Sequence, residues 1–318
     1  MKSHILLLVL RRIYQLIPVV LLATFVVFCL LQLVPGDPAV TLAGDNPTRE
    51  RIEEIRQLYG FDKPFYEQYW DWLVHACEGN LGHSLLSSEP VLELILHRLP
   101  NTLEIGGMAL IIACGVGIPL GMLAATRQGS KVDGFVTGLA SLGVALPSFW
   151  LAMILVLNLS LKLHWLPATG STALTDDPWQ SFRHALLPSV ALAVSAIAEL
   201  ARQLRGALLE VLGSQYMRTL RAKGLSPAKI LWKHGLKNVA VTLLTLIGLQ
   251  VNRLLAGTVV IEAVFAIPGS GSLVSYSAIN KDFPVVQGVV LLLVVIVLAV
   301  NLLVDVLNVI IDPRVAEK

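Results

Sequence analysis

The residues with the most chemical consequence in this sequence are charged side chains set within or beside long apolar stretches. Arg253 stands in the run from Val239 to Ile261, and Glu199 in the run from His184 to Ala201. Glu104, Glu262 and Asp305 lie nearer the ends of such runs. A charge at membrane depth is costly, so it faces a partner or a water-filled cavity. Arg253 lies about 15 residues beyond Lys237, which at about 1.5 Å per residue puts it roughly 22 Å from the basic end of its run. Glu199 and Asp305 sit too near the cytoplasmic end to be easy mates at that depth. Glu104 matches better, and Glu262 also lies on the outer side. Two readings stay open: Arg253 attracts a carboxylate on something that crosses, or it forms a structural ion pair or snorkels outward.

Covalent chemistry finds no support. Gly269-Ser270-Gly271 superficially suggests a serine nucleophile, yet no histidine occupies a compelling span position beside it. Seven histidines are scattered without HxxxH or HExxH spacing, and Cys29, Cys77 and Cys114 offer neither a disulfide framework nor a zinc spacing. No GxxxxGK[ST] stretch exists, nor even a Gly-Lys dipeptide, so no P-loop can cradle nucleotide phosphates. No catalytic residue, metal site or cofactor is expected on this chain.

The elements that position these charges follow from composition. Apolar residues make up 55% of 318, only 14% are charged, and mean hydropathy is +0.72. A soluble domain of this size could not hide that much apolar surface, so part of the solvent is lipid. The net charge of +2 is too small to argue for nucleic acid. A membrane helix needs about 20 largely apolar residues. Charge-free windows run between Arg12 and Asp37, Glu104 and Arg127, Asp133 and Lys162, and Asp282 and Asp305. The two interrupted runs bring the prediction to six spans, the fourth of them short.

The N-terminus, the 127–131 turn, the 202–237 loop and the C-terminus hold 15 Lys and Arg, against three in two short loops opposite. By the positive-inside rule both termini are cytoplasmic. Residues 35–101, with 11 acids against five bases, are expected to form a small, partly helical external subdomain. The organisation read from the chain is therefore 1–34 for the N-terminus and first span, 35–101 outside, and 102–318 as the core. No cleavable signal peptide and no internal repeat is read.

A loop at 202–238 interrupts that core with eight basic residues and one acid, Glu210. Ser214 or a neighbour opens a short helix through Tyr216, Met217, Leu220 and Arg221, and Gly224 suits a left-handed end. Ser226-Pro227 supplies an N-cap and a first-turn proline, and the second helix is expected to end near Lys237. Tyr216, Met217 and Leu220 make one apolar face, with Arg218 and Arg221 as a basic ridge. Such a helix either enters a partner's groove or rests on anionic lipid.

Ala222-Lys223-Gly224, followed by His234-Gly235-Leu236-Lys237-Asn238, resembles the cytoplasmic signature of binding-protein-dependent ABC importer permeases. The match is to the dipeptide/oligopeptide/nickel branch, with Arg218-Thr219-Leu220 where other branches carry Glu-Ala-Ala. Leu33-Val34-Pro35-Gly36-Asp37-Pro38, Gly60-Phe61-Asp62-Lys63-Pro64, Gly79-Asn80-Leu81-Gly82, Arg98-Leu99-Pro100-Asn101-Thr102-Leu103-Glu104 and Pro147-Ser148-Phe149-Trp150 fit as well. So do Trp165-Leu166-Pro167 and the run from Glu262 through Pro268-Gly269 to Asp282-Phe283-Pro284-Val285. Arg253 departs from typical relatives, as do the serines of Pro268-Gly269-Ser270-Gly271-Ser272, which puts a gating role for Ser272 in doubt.

The resemblance implies a type I-like permease fold in a bacterial inner membrane. It implies a second homologous permease, two ATP-binding subunits that carry ATP and Mg, and an external substrate-binding protein. Coupling to the ATPase falls on Tyr216, Met217, Arg218, Leu220, Arg221, Ala222, Lys223 and Gly224. Arg253, Glu262, Pro268, Gly269 and Glu104 are candidates for the pathway or its gate. Peptide is the expected cargo, with nickel chelates or glutathione as alternatives. A self-sufficient secondary transporter is the competing class; it would need repeats or broken midspan helices.

Overall fold

The computed structural model describes residues 2–33, 37–43 and 48–312, with side chains from Tyr14 onward except Thr41. Val34, Pro35 and Gly36, the side chains of Lys2, Arg11 and Arg12, and the C-terminal Arg314 and Lys318 lie outside the described residues. Those described form helices and no strand. The order is α1 (Lys2–Gln32), α2 (Pro38–Ala43), α3 (Arg49–Leu58), α4 (Phe65–Cys77), α5 (Val91–Thr126), α6 (Lys131–Ala145) and α7 (Ser148–Leu155). A π-helical stretch, Val156–Lys162, extends α7. Then come α8 (Pro178–Leu212), α9 (Gln215–Ala222), α10 (Pro227–Lys229), a π turn at Ile230–Gly235, α11 (Leu236–Val264), α12 (Ser270–Ile279) and α13 (Phe283–Ile311).

Among the described residues, five helical runs are long and apolar enough to cross a membrane: Tyr14–Gln32, Val91–Thr126, Pro178–Leu212, Pro227–Val264 and Phe283–Ile311. The remaining expected crossing is a pair, Lys131–Ala145 with Ser148–Lys162, bent by 96°. Counted as one, it completes six crossings of an all-α membrane fold. The bend corrects the expectation of an unbroken third span, and its cause is local. Leu146 precedes Pro147, whose ring drives the residue before it out of the helical region; Leu146 sits at φ −81°, ψ 123°.

Two further boundaries differ from the sequence reading. The fourth span is not short: α8 has 35 residues, about 52 Å at 1.5 Å per residue. Asp177 caps its start, accepting from the N–H groups of Trp179 and Gln180 at 3.0 Å, with Pro178 in the first turn. Beyond Ala201 it continues because Leu204 and Leu208 bury against Met122, Ala125 and Val239. The second loop helix does not stop near Lys237 either. No capping residue stands there, and the run from Pro227 to Val264 goes on as the fifth span.

The chain divides into two compact units. The first is built on Leu103–Ile267, joined by α13 from Ala299. Its core is α8, which buries a row of alanines (Ala191, Ala193, Ala196) with Leu192 and Leu200 against Ile105, Ala109, Ala113, Ala152, Leu246 and Leu254. Gly117 and Gly121 let α5 come close. A Cβ on Gly121 would lie 2.8 Å from the Ala201 carbonyl oxygen, and one on Gly117 would lie 3.0 Å from that of Ile197. This is the small-residue approach that replaces hydrophobic drive within a bilayer.

The second unit comprises Arg12–Thr102 and Pro268–Leu298. Leu81, Val91, Ile95, Leu273, Val285 and Val289 form its core. Asp282, 2% exposed, ties it together, accepting from Ser84 Oγ at 2.5 Å and from the Leu85 N–H at 3.0 Å. Tyr69 of α4 packs edge-on against Phe25 and Phe28 of α1. On its surface Lys63 donates to Asp71 at 2.7 Å, and that hydrogen bond, ahead of coulombic attraction, raises the ammonium's pKa.

Gly121→Val should drive α5 from α8, because the obstacle is backbone rather than a yielding side chain. The expected loss is about 1–3 kcal/mol, seen as a lower melting temperature in detergent. Gly107→Ala in the same helix meets nothing within 4 Å and should not lower it. Equal melting of Gly121→Val and wild type would contradict this packing.

Candidate functional site

The basic loop is built by local signals. Ser214 caps α9, its Oγ accepting the Met217 N–H at 3.4 Å. The helix ends where Gly224 takes φ +77°, the left-handed conformation that favours glycine. The Gly224 N–H then bonds the Arg221 carbonyl at 2.9 Å and the Leu225 N–H that of Leu220 at 3.3 Å. Ser226 restarts the chain, its Oγ accepting from the Lys229 N–H at 3.4 Å, with Pro227 in the first turn.

The face that α9 presents differs from the one expected. Met217 is fully buried within the chain, Leu220 is half-buried, and Tyr216 is 50% exposed. Successive helical residues are about 100° apart, so burying Met217 turns Tyr216 toward the rim. Met217 is therefore the anchor of α9 on its own chain. The outward surface includes Tyr216, Arg218, Arg221, Ala222, Lys223 and Gly224, with Gln215 and Thr219 beside them. Arg221 also donates to the Leu212 carbonyl at 3.0 Å, tying α9 to the end of α8.

Two partnerships here have no signal in sequence spacing. The Tyr216 hydroxyl pairs with Nδ1 of His234 at 2.8 Å, joining α9 to the π turn below α11. Arg205, counted with the loop's basic residues, instead makes a two-pronged pair with Asp133 at the start of α6. Its Nε and a terminal nitrogen donate to the carboxylate at 2.5 and 2.7 Å, and the Gly129 N–H adds a third bond at 2.9 Å. Asp133 is only 5% exposed, so the pair clamps α6 to α8.

The charges within the spans are also partnered differently from the depth estimate. Arg253 pairs with Glu199, and Gln250 donates to the same carboxylate oxygen at 2.9 Å. Helical side chains tilt toward the N-terminus. α8 and α11 run in opposite senses, so Arg253 leans toward the cytoplasm and Glu199 away from it. The extension of α8 past Ala201 further removes Glu199 from the cytoplasmic end. Counting Cα rise alone missed both effects. Glu104, the expected mate, accepts instead from Ser181 Oγ.

Glu262 is fully buried near the end of α11, within the same unit as Arg253 and Glu104. Pro268 and Gly269 belong to the other unit. The Pro268 carbonyl accepts from Asn101 at 2.9 Å, and the Gly269 N–H donates to Ser272 Oγ at 3.0 Å. Ser272 thus caps α12. Among the described residues no three His, Cys, Asp or Glu side chains gather as a metal site.

Residues 117–317 match the family described as binding-protein-dependent transport system inner membrane component, and residues 5–106 match the N-terminal region of such membrane components. A peptide transport system permease protein of Brucella abortus (strain 2308) is 42% identical over 308 residues, covering 97% of this chain and 98% of that one. The oligopeptide transport system permease protein AppB of Bacillus subtilis is 36% identical over 310 residues, covering 96% and 98%. The dipeptide transport system permease protein DppB of Escherichia coli is 36% identical over 336 residues, covering 98% of each. In fold, the chain resembles one from inward-facing MetNI, a methionine ABC transporter, with TM-score 0.59 and 22% identity over 70% of this chain and 99% of that one.

Gly224→Val should strain the end of α9 by about 1–2 kcal/mol, the left-handed penalty for a side chain. Hydrogen exchange across the α9–Leu225 segment should then speed up by roughly 5- to 30-fold. Unchanged protection there would show that the glycine conformation is not what ends the helix.

Proposed function

The chain belongs to the family of binding-protein-dependent transport system inner membrane components, and on that premise we propose that it forms half of a peptide pathway driven by a separate ATPase. As a permease subunit of an ABC importer it is a multi-pass protein of the bacterial inner membrane and a transport component rather than an enzyme. It works with ATPase and binding-protein components. The finer assembly is two ATP-binding subunits, holding ATP and Mg, with a second homologous permease to complete the pore. Peptide is favoured over nickel chelates or glutathione because the relatives above that are named for a cargo of this branch are named for peptides.

One observation carries the coupling role: α9 is a capped, anchored helix whose outer face is basic and exposed, with Tyr216 and Arg221 also tied to the chain itself. Tyr216, Arg218, Arg221, Ala222, Lys223 and Gly224 would meet the ATPase, while Met217 and Leu220 seat the helix. A rigid helix is what alternating access needs, because a pliable one would absorb the ATPase's motion. The seat matters equally. Arg221 holds α9 to α8, and Tyr216 holds it through His234 to the run that becomes α11. A push on α9 therefore reaches the two helices that carry the Glu199–Arg253 pair.

Within the spans, Arg253 is the pathway residue. Glu104 would act indirectly, by tying α5 to α8 through Ser181, and Glu262 by its burial near the outer end of α11. Pro268 and Gly269 would set the turn before α12.

Arg218→Glu combined with Arg221→Glu should lower ATP-driven uptake on the order of 10-fold or more and weaken co-purification of the ATPase, as expected when like charges meet at an interface. Membrane insertion should be unchanged. Intact association and uptake would refute docking through this face and leave the helix a lipid-surface element.

A further inference from the structure

Arg253 is held in an unusual way for a charge inside a span. It lies 17 residues past Leu236 and 11 before Val264, about 25 and 16 Å from the two ends of α11. Its side chain is nevertheless 57% exposed, against 18% for Glu199. Gln250, only 2% exposed, is spent on Glu199, so two side chains on one face of α11 hold the same carboxylate oxygen. A guanidinium carries five N–H donors in a planar fork. The contact with Glu199 runs through one terminal nitrogen, and more than half of the side chain is open.

That outward face does not suit lipid, since a charge there is costly. The pair also sits on the two least hydrophobic of the long spans, whereas the highly apolar window of α13 is only 6% buried and suits lipid contact. Leu249, Ala256 and Val260, exposed along with Arg253, form a single stripe on α11 at helical spacing. A stripe of small and apolar residues broken by one cation fits a path for a chain that is itself mostly uncharged but ends in a carboxylate.

We infer that Arg253 is a recognition point within the pathway for the terminal carboxylate of a passing peptide, with Glu199 and Gln250 as the residues that position it. This rests on the peptide-import reading. The guanidinium fork matches a carboxylate in two-pronged geometry. Glu199 has a second effect: it neutralises most of the charge, so the site attracts the carboxylate without trapping it. Conduction requires such a compromise between entry and release.

The test uses the full complex with its binding protein and ATPases in proteoliposomes. Uptake of trialanine is compared with that of trialanine amide, which lacks the terminal charge. Selection by the binding protein cancels when the acid-to-amide ratio of each variant is divided by that of wild type. Arg253→Gln should lower uptake of the acid about 10-fold, equivalent to about 1.4 kcal/mol, and change that of the amide less than twofold. Arg253→Lys, which retains the cation but loses the fork, should lower the acid-to-amide ratio by less than the glutamine variant does, and it carries the test if the glutamine variant does not assemble. Equal falls for both peptides, as a merely structural ion pair or a contact with the second permease would give, overturn the proposal, and so does no change in either. Failure of the wild-type complex to take up either peptide with ATP would overturn the peptide-import reading itself.

Discussion

Helices inside a bilayer gain nothing from hiding apolar surface, because lipid is as apolar as leucine. They associate only if their backbones can approach closely enough for dispersion and interhelical hydrogen bonds to act. α8 meets that condition by presenting alanines along its length, and α5 meets it through Gly117 and Gly121. With α5 close on one side, the Asp133–Arg205 clamp can fix α6, and α11 can lie near enough for Gln250 and Arg253 to reach Glu199. The polar contacts of this unit are consequences of that close approach.

The same arrangement explains why a short basic loop can matter to events in the membrane. α9 is stiffened by a serine at one end and a left-handed glycine at the other, and buried Met217 prevents it from rolling. Its ties lead to the extended end of α8 and, through His234, into a helical run that continues without a break to Val264. A displacement of α9 would thus be passed to the two least hydrophobic of the long spans.

What was legible in the sequence was what is decided locally. Ser214, Gly224 and Ser226-Pro227 announce helix ends because capping involves only neighbouring residues, and each acts where its type suggested. Apolar length gave the crossings for the same reason. The 96° bend did have a signal in Leu146-Pro147, but an unbroken apolar window obscured it. The rotation of α9 about its own axis was not legible, since it depends on a pocket assembled from distant residues. Nor was the pairing of Arg253, because helix rise gives the height of a Cα but neither the lean of the side chain nor the length of the partner helix.

The π turn at Ile230–Gly235 bears on how this loop can change over evolution. Its closing bond runs from the Leu236 N–H to the Leu231 carbonyl, five residues back, so the turn holds one residue more than an α-turn. Removing that residue and closing the turn in the ordinary α form would leave the angular travel through it nearly unchanged, so the span beyond would keep its facing. A one-residue deletion from the regular part of the run, with no wide turn to absorb it, would instead rotate everything beyond by about 100°. Arg253 would then leave Glu199, and the glycines of α11 would no longer face the side chains they now accommodate, Val304 at Gly248 and Leu192 at Gly257. Substitutions can be absorbed along the exposed surface of the loop, and the wide turn is a place where one residue can be gained or lost while the span above keeps its rotational phase.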